Sequence, residues 1–95
     1  VQLSPNVQIG NHCLLHKQVL VDSRAVIHDF AQIGPGSIIG EQVTIEANVF
    51  IGAGVTIIPG LHIGPGAQVG AGSVVLADVK PNERILGNPA KPFKI

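Results

Sequence analysis

The sequence predicts an all-β fold, a parallel β-helix wound from six-residue repeats, and three observations point there. An aliphatic residue recurs at every sixth position, thirteen times from Leu3 to Val75 without a slip. A second series four residues after each of these holds small or modest apolar side chains, among them Cys13, Ala25, Ala31, Ser37, Val55 and Ser73. Neither the helical period of 3.6 nor the strand period of 2 fits such a run. Glycine is frequent, with 12 residues, while Trp and Tyr are absent and Phe occurs three times, a composition suited to a stack of turns. A fixed short repeat of this kind is the signature of a β-solenoid.

The elements follow in order. Each hexad reads as a short strand closed by a corner, and three hexads complete one coil of about eighteen residues. The register runs from Leu3 to Lys80, 78 residues or a little over four coils. At about 4.8 Å between hydrogen-bonded strands, the prism is expected to be roughly 20 Å long. Gly34, Gly36, Gly52, Gly54, Gly70 and Gly72 are expected to turn the corners with positive φ. Pro81, Pro89 and Pro92 forbid continuation of the register. Residues 1–80 therefore read as the β-helix and 81–95 as an irregular C-terminal tail packing back on it.

Composition narrows the function. Six basic residues balance six acidic ones and only 13% of the chain is charged. No basic patch calls for nucleic acid, and no apolar run approaches a membrane span. Nothing at the start of the sequence reads as a signal peptide. Cys13, in the small inward series, reads as a buried free thiol suited to a reducing cytoplasm.

Stacking at eighteen residues outlines the surface. Leu20, Ile38, Thr56 and Val74 form one outward column, and Asp22, Gly40, Ile58 and Leu76 lie beside it across the same corner. The large aliphatics Leu20, Ile38, Ile58, Val74 and Leu76 are too many for a free surface, which points to self-association about a threefold axis or to cover by the tail. A second corner carries Gly34-Pro35-Gly36, Gly52-Ala53-Gly54 and Gly70-Ala71-Gly72. Corners favour glycine for conformational reasons alone. The same bareness also offers a smooth groove with exposed backbone amides, wide enough for a thin polar chain such as a pantetheine arm.

The segments IGPGSIIG, IGAGVTIIPG, IGPGAQVGAGSVVLADV and GNPAK resemble hexapeptide-repeat acyltransferases, nearest the sugar acetyltransferases acting on sialic acids or nucleotide-linked amino sugars. The resemblance covers almost the whole chain. It implies a left-handed coil, an exception to the usual right-handed crossover. It also implies acetyl-CoA as acyl donor, a homotrimer with sites between prisms, and a histidine general base acting on an acceptor amine or hydroxyl. Gly52, Gly54, Ala71 and Gly72 would then line the CoA groove, with Lys80 and Lys91 meeting its phosphates as point charges. Nucleotidyltransferase tails and γ-class carbonic anhydrases share the repeat, but the four histidines occupy different columns and no metal is expected.

The chain departs from that family's pattern at the catalytic position. Where the sugar acetyltransferases carry a His-Asp pair, gap-free alignment puts Ser23-Arg24, and Gln32 stands where a second histidine belongs. His28, followed by Asp29 and stacked eighteen residues from Glu46, is the best surviving base; His12, His16 and His62 read as solvated surface residues. The candidate catalytic set is His28, Asp29 and Ser23. Three functional expectations follow: acetyl transfer to a sugar or sugar nucleotide, a trimerisation scaffold that has lost its catalytic histidine, or a fragment of a longer enzyme whose N-terminal domain receives the sugar nucleotide.

Overall fold

The computed structural model describes residues 1–92, so Phe93, Lys94 and Ile95 at the end of the predicted tail lie outside the described residues. The first coil contains β1 (Gln2–Leu3), β2 (Gln8–Ile9) and β3 (Leu14–Leu15). The second contains β4 (Leu20–Val21), β5 (Val26–Ile27) and β6 (Gln32–Ile33). The third holds β7 (Ile38–Ile39), β8 (Thr44–Ile45) and β9 (Phe50–Ile51). The fourth holds β10 (Thr56–Ile57), β11 (His62–Ile63) and β12 (Gln68–Val69). A fifth begins with β13 (Val74–Val75) and closes with β14 (Arg84–Gly87), after which β15 (Ala90–Pro92) returns antiparallel to β14.

Strands three apart in sequence pair in parallel and make three faces. The first face is β1-β4-β7-β10-β13, the second β2-β5-β8-β11, and the third β3-β6-β9-β12-β14-β15. Partners through β13 are eighteen residues apart, as in Leu20↔Ile38 and Ile39↔Ile57. Period eighteen puts every sixth residue inside, so the interior is a stack of aliphatics. Ile27, Ile33, Ile39, Ile45, Ile51, Ile57 and Ile63 are each no more than 1% exposed. Burying each contributes roughly 1.5–3 kcal/mol of transfer free energy. The small series fills the narrow corners, where Ser37 satisfies its buried hydroxyl by donating to Gly52 O (2.8 Å) and accepting from Val55 N (3.1 Å).

Five of the corner glycines divide into two kinds, a refinement of the expectation that all six turn with positive φ. Gly36, Gly54 and Gly72 do so, at φ 74°, 66° and 75°. Gly34 and Gly52 are needed instead because a Cβ there would meet backbone of the next coil at 2.6 and 2.7 Å. Turning itself does not require glycine. Asn6, His12, Gln18, Arg24, Phe30, Gln42, Asn48 and Asn82 hold the same left-handed conformation at φ 57–64°.

The C-terminal stretch differs most from the sequence expectation. The stack does not stop at Lys80. Val79 bridges Ile63 and Ile85 pairs with Val69, both sixteen residues apart, so the fifth coil is two residues short. Val79 thus leaves the small series, where periodicity had put it, and takes an aliphatic core position, as does Ile85; both are 4% exposed. The prolines do not end the stack, because Pro81 sits in a turn and Pro92 at the end of the outermost strand, where no ladder N–H is lost. Five coils and a terminal hairpin, rather than about four coils, give principal extents of 35 × 22 × 21 Å.

Candidate functional site

The three faces meet at three corners. The first corner, between the first and second faces, carries Ser23-Arg24, Glu41-Gln42 and Pro59-Gly60 in successive coils. The second carries Asn11-His12, Asp29-Phe30, Ala47-Asn48, Pro65-Gly66 and Pro81-Asn82; the third carries Lys17-Gln18, Pro35-Gly36, Ala53-Gly54 and Ala71-Gly72.

The chemically richest group of side chains lies on the second face. Glu46 follows β8 and His62 opens β11, and they meet with His62 Nε2 2.6 Å from Glu46 Oε2. The other carboxylate oxygen, Oε1, lies 3.8 Å from His28 Nε2. One carboxylate is therefore flanked by two imidazoles, all partly open to solvent, with side-chain exposures of 47% for His28, 30% for Glu46 and 51% for His62. The His62 backbone is fixed as well, its N–H donating to Asp78 Oδ1 at 2.8 Å. A carboxylate oxygen accepts, so in this contact Nε2 of His62 is the donor and Nδ1 faces away from Glu46.

Of the predicted catalytic residues, the structure brings none together as a triad. Ser23 sits at the first corner, across β5 from His28, and its N–H donates to Asp22 Oδ1 (2.7 Å). Asp29 does not orient the His28 ring; it accepts from the N–H of Asn11 at 2.7 Å and so ties the second corner of one coil to the next. The carboxylate expected to serve His28 makes its hydrogen bond to His62. The pair escaped the sequence reading because Glu46 and His62 are sixteen residues apart, two short of a column. Side chains flanking a strand on its outer face meet diagonally across coils, and a search along that diagonal would have found them. Lys80, eighteen residues after His62, stacks instead over Gly64 at the second corner because the last coil is short. His12 stacks face to face on Phe30 with ring centroids 5.2 Å apart.

The predicted groove is a bare surface at the third corner. Nothing lies within 4 Å of where a Cβ would be at Gly36, Gly54 or Gly72. Ala53 and Ala71 are exposed between them, and their backbone N–H groups donate to no partner among the described residues. Gly52 is buried behind this surface rather than on it. Lys80 lies at the opposite edge of the third face, and Lys91 lies on β15, paired with Leu86 at the C-terminal end of that face. The strip predicted to mediate assembly is only partly exposed. Ile38 and Leu76 are 43% and 51% exposed, whereas Leu20, Ile58 and Val74 are half-buried.

The bacterial transferase hexapeptide family model, of six repeats, matches residues 12–47 and 42–77. The chain belongs to that family. Its likeness extends through the solved structures of hexapeptide-repeat acetyltransferases. A histidine-to-alanine variant of GDP-perosamine N-acetyltransferase from Caulobacter crescentus, in complex with CoA and GDP-perosamine, superposes with a TM-score of 0.91 at 27% identity, over 99% of this chain and 50% of that one. A hexapeptide-repeat acetyltransferase of Vibrio cholerae O1 biovar eltor, complexed with acetyl coenzyme A, gives 0.91 at 27% identity, over 99% and 66% of the two chains. Serine O-acetyltransferase from Brucella melitensis gives 0.87 at 32% identity, over 93% of this chain and 38% of that one. No curated protein matches the chain by sequence. The hexapeptide family's left-handed parallel β-helix is thus the fold of this chain, which spans between about a third and two thirds of the length of these three relatives.

Proposed function

We propose that this chain is the acyl-transfer domain of an acetyl-CoA-dependent transferase, moving an acetyl group to an amine or hydroxyl of a sugar or sugar nucleotide in the cytoplasm. The observation that carries the reading is the bare third corner of a hexapeptide-family prism. A pantetheine arm is a thin chain with two amides, and the corner offers side-chain-free surface past Gly54 and Gly72 with the Ala53 and Ala71 N–H groups unpaired. Lys80 and Lys91, both exposed on the flanks of the third face, supply cations for the phosphates of the donor. The relatives with acetyl-CoA, or with CoA and a sugar nucleotide, support the donor and the acceptor class. The exposed Ile38 and Leu76 favour a homotrimer packed through that strip.

A second reading, a trimerisation scaffold without catalysis, is favoured by Ser23, a hydroxyl of no basicity near neutral pH where the resemblance calls for histidine. Titration calorimetry with acetyl-CoA, with the mass of the same sample measured by light scattering, separates the two. The transferase reading expects a trimer that binds about one acetyl-CoA per groove, with binding abolished by Ala71→Trp. A trimer that gives no heat with acetyl-CoA leaves the scaffold.

A further inference from the structure

Transfer of an acetyl group from a thioester to an amine or hydroxyl releases a proton from the attacking atom, and a base must stand within hydrogen-bond reach of it. Ser23 cannot serve, and His28 lies 3.8 Å from the nearest carboxylate oxygen. His12 is stacked on Phe30. His62 alone among the four histidines has its ring held by a carboxylate hydrogen bond, at 2.6 Å. With Nε2 donating to Glu46, Nδ1 faces away from the carboxylate, which stabilises the imidazolium formed when Nδ1 takes a proton. With its backbone N–H tied to Asp78, the residue is positioned from both ends.

We propose that His62, oriented by Glu46, is the general base of this domain, serving the donor site between copies that the family resemblance already implies. It replaces both the lost family histidine and His28. With the donor at the third corner, the sheet order requires the site to be shared. The third corner joins the first and third faces, so the second face, with His62, is the side of the prism directly opposite. The body of the prism, with transverse extents of 22 and 21 Å, stands between them, and no single chain can bring donor and base together. An assembly in which the bare corner of one copy lies alongside the His28–Glu46–His62 group of its neighbour meets this requirement. In the step itself, the acceptor nitrogen or oxygen bonds to the acetyl carbon while its proton passes to His62 Nδ1. The carbon–sulfur bond breaks, and the proton returns from His62 to the departing CoA thiolate. No other reactant is needed.

This inference rests on the transferase reading, and the test keeps the two apart by following acetyl-CoA binding and turnover separately. Thiol release from acetyl-CoA is measured with GDP-perosamine and with glucosamine as acceptor probes. His62→Ala is expected to bind acetyl-CoA as the parent does and to lose about 10²-fold or more in rate. Added imidazole should restore part of that rate, which a purely structural lesion would not allow. Co-assembled His62→Ala and Ala71→Trp chains, each inactive alone, should regain activity at about a quarter of their shared sites. Wild-type turnover that His62→Ala leaves intact, a larger loss in His28→Ala than in His62→Ala, or a wild-type chain that binds acetyl-CoA and transfers to neither probe each overturns the assignment while the donor site stands. Rescue by imidazole without rescue by mixing overturns the two-copy arrangement. A chain that does not bind acetyl-CoA removes the transferase reading and the base with it.

Discussion

Gly34 and Gly36 sit two residues apart in one corner, and replacing each with alanine should separate two physical roles of glycine in this fold. Gly34 is buried, and a Cβ on it would come 2.6 Å from both Ala53 N and Gly52 C. Ordinary contact begins near 3.4 Å, so relief needs the two coils to part locally by 3.4 − 2.6, or about 0.8 Å. The gap is spanned nearby by Gly34 N–Ile51 O at 2.8 Å and Gly54 N–Pro35 O at 2.9 Å. Stretching the shorter bond by that amount takes it to about 3.6 Å, no longer a hydrogen bond. Each bond lost leaves polar groups unpaired at about 1–3 kcal/mol, so Gly34→Ala should cost about 3 kcal/mol after partial relaxation. For a domain of this size that is a fall of roughly 12–24 °C in melting temperature. At Gly36 a Cβ meets nothing within 4 Å and only the left-handed φ of 74° opposes it. Gly36→Ala should therefore cost about 1 kcal/mol, or roughly 4–8 °C. Thermal melts followed by circular dichroism decide the point. Equal losses, or a greater loss at Gly36, would refute the claim that coil-to-coil backbone contact sets the requirement at Gly34.

Two further outcomes are expected. Gln42 holds φ 59° without being glycine, so Gln42→Gly should stabilise the chain by about 0.5–1 kcal/mol, the relief of left-handed strain less the entropy glycine loses, as read from the same melts. The pair Ile38→Asp and Leu76→Asp, at 43% and 51% exposed positions, should leave the fold of the single chain intact by circular dichroism but shift the light-scattering mass to that of a monomer. A trimeric mass retained in the double variant would place the interface elsewhere.

The division between what was legible in the sequence and what was not has a physical origin in the repeat. A period of six makes each interior position predictable from any other, because every coil must offer an aliphatic of similar volume to the one above it. Ile27, Ile45 and Ile63 could therefore be placed in one buried stack without coordinates, and the bare third corner could be read from three glycine-rich triplets. The repeat could not reveal where it is broken. The two-residue shortening after Val75 keeps Val79 and Ile85 in the core by moving them out of phase, and only the pairings Ile63↔Val79 and Val69↔Ile85 expose it. Nor could counting in columns find the chemistry. Backbone stacking obeys the period of eighteen, but a long side chain at the end of one strand reaches its neighbour diagonally, which is how Glu46 bonds His62 and leaves His28 at 3.8 Å. Asp29 shows the same limit, since its place beside His28 in sequence says nothing of a side chain that caps the Asn11 amide in the coil below. The sequence by itself determined the coil, its core and its bare corner, because these depend on volume and backbone freedom repeated at fixed spacing. The tertiary structure alone decided which carboxylate holds which histidine and on which face, because directional bonds between side chains depend on rotamers and on contacts between coils that no linear period encodes.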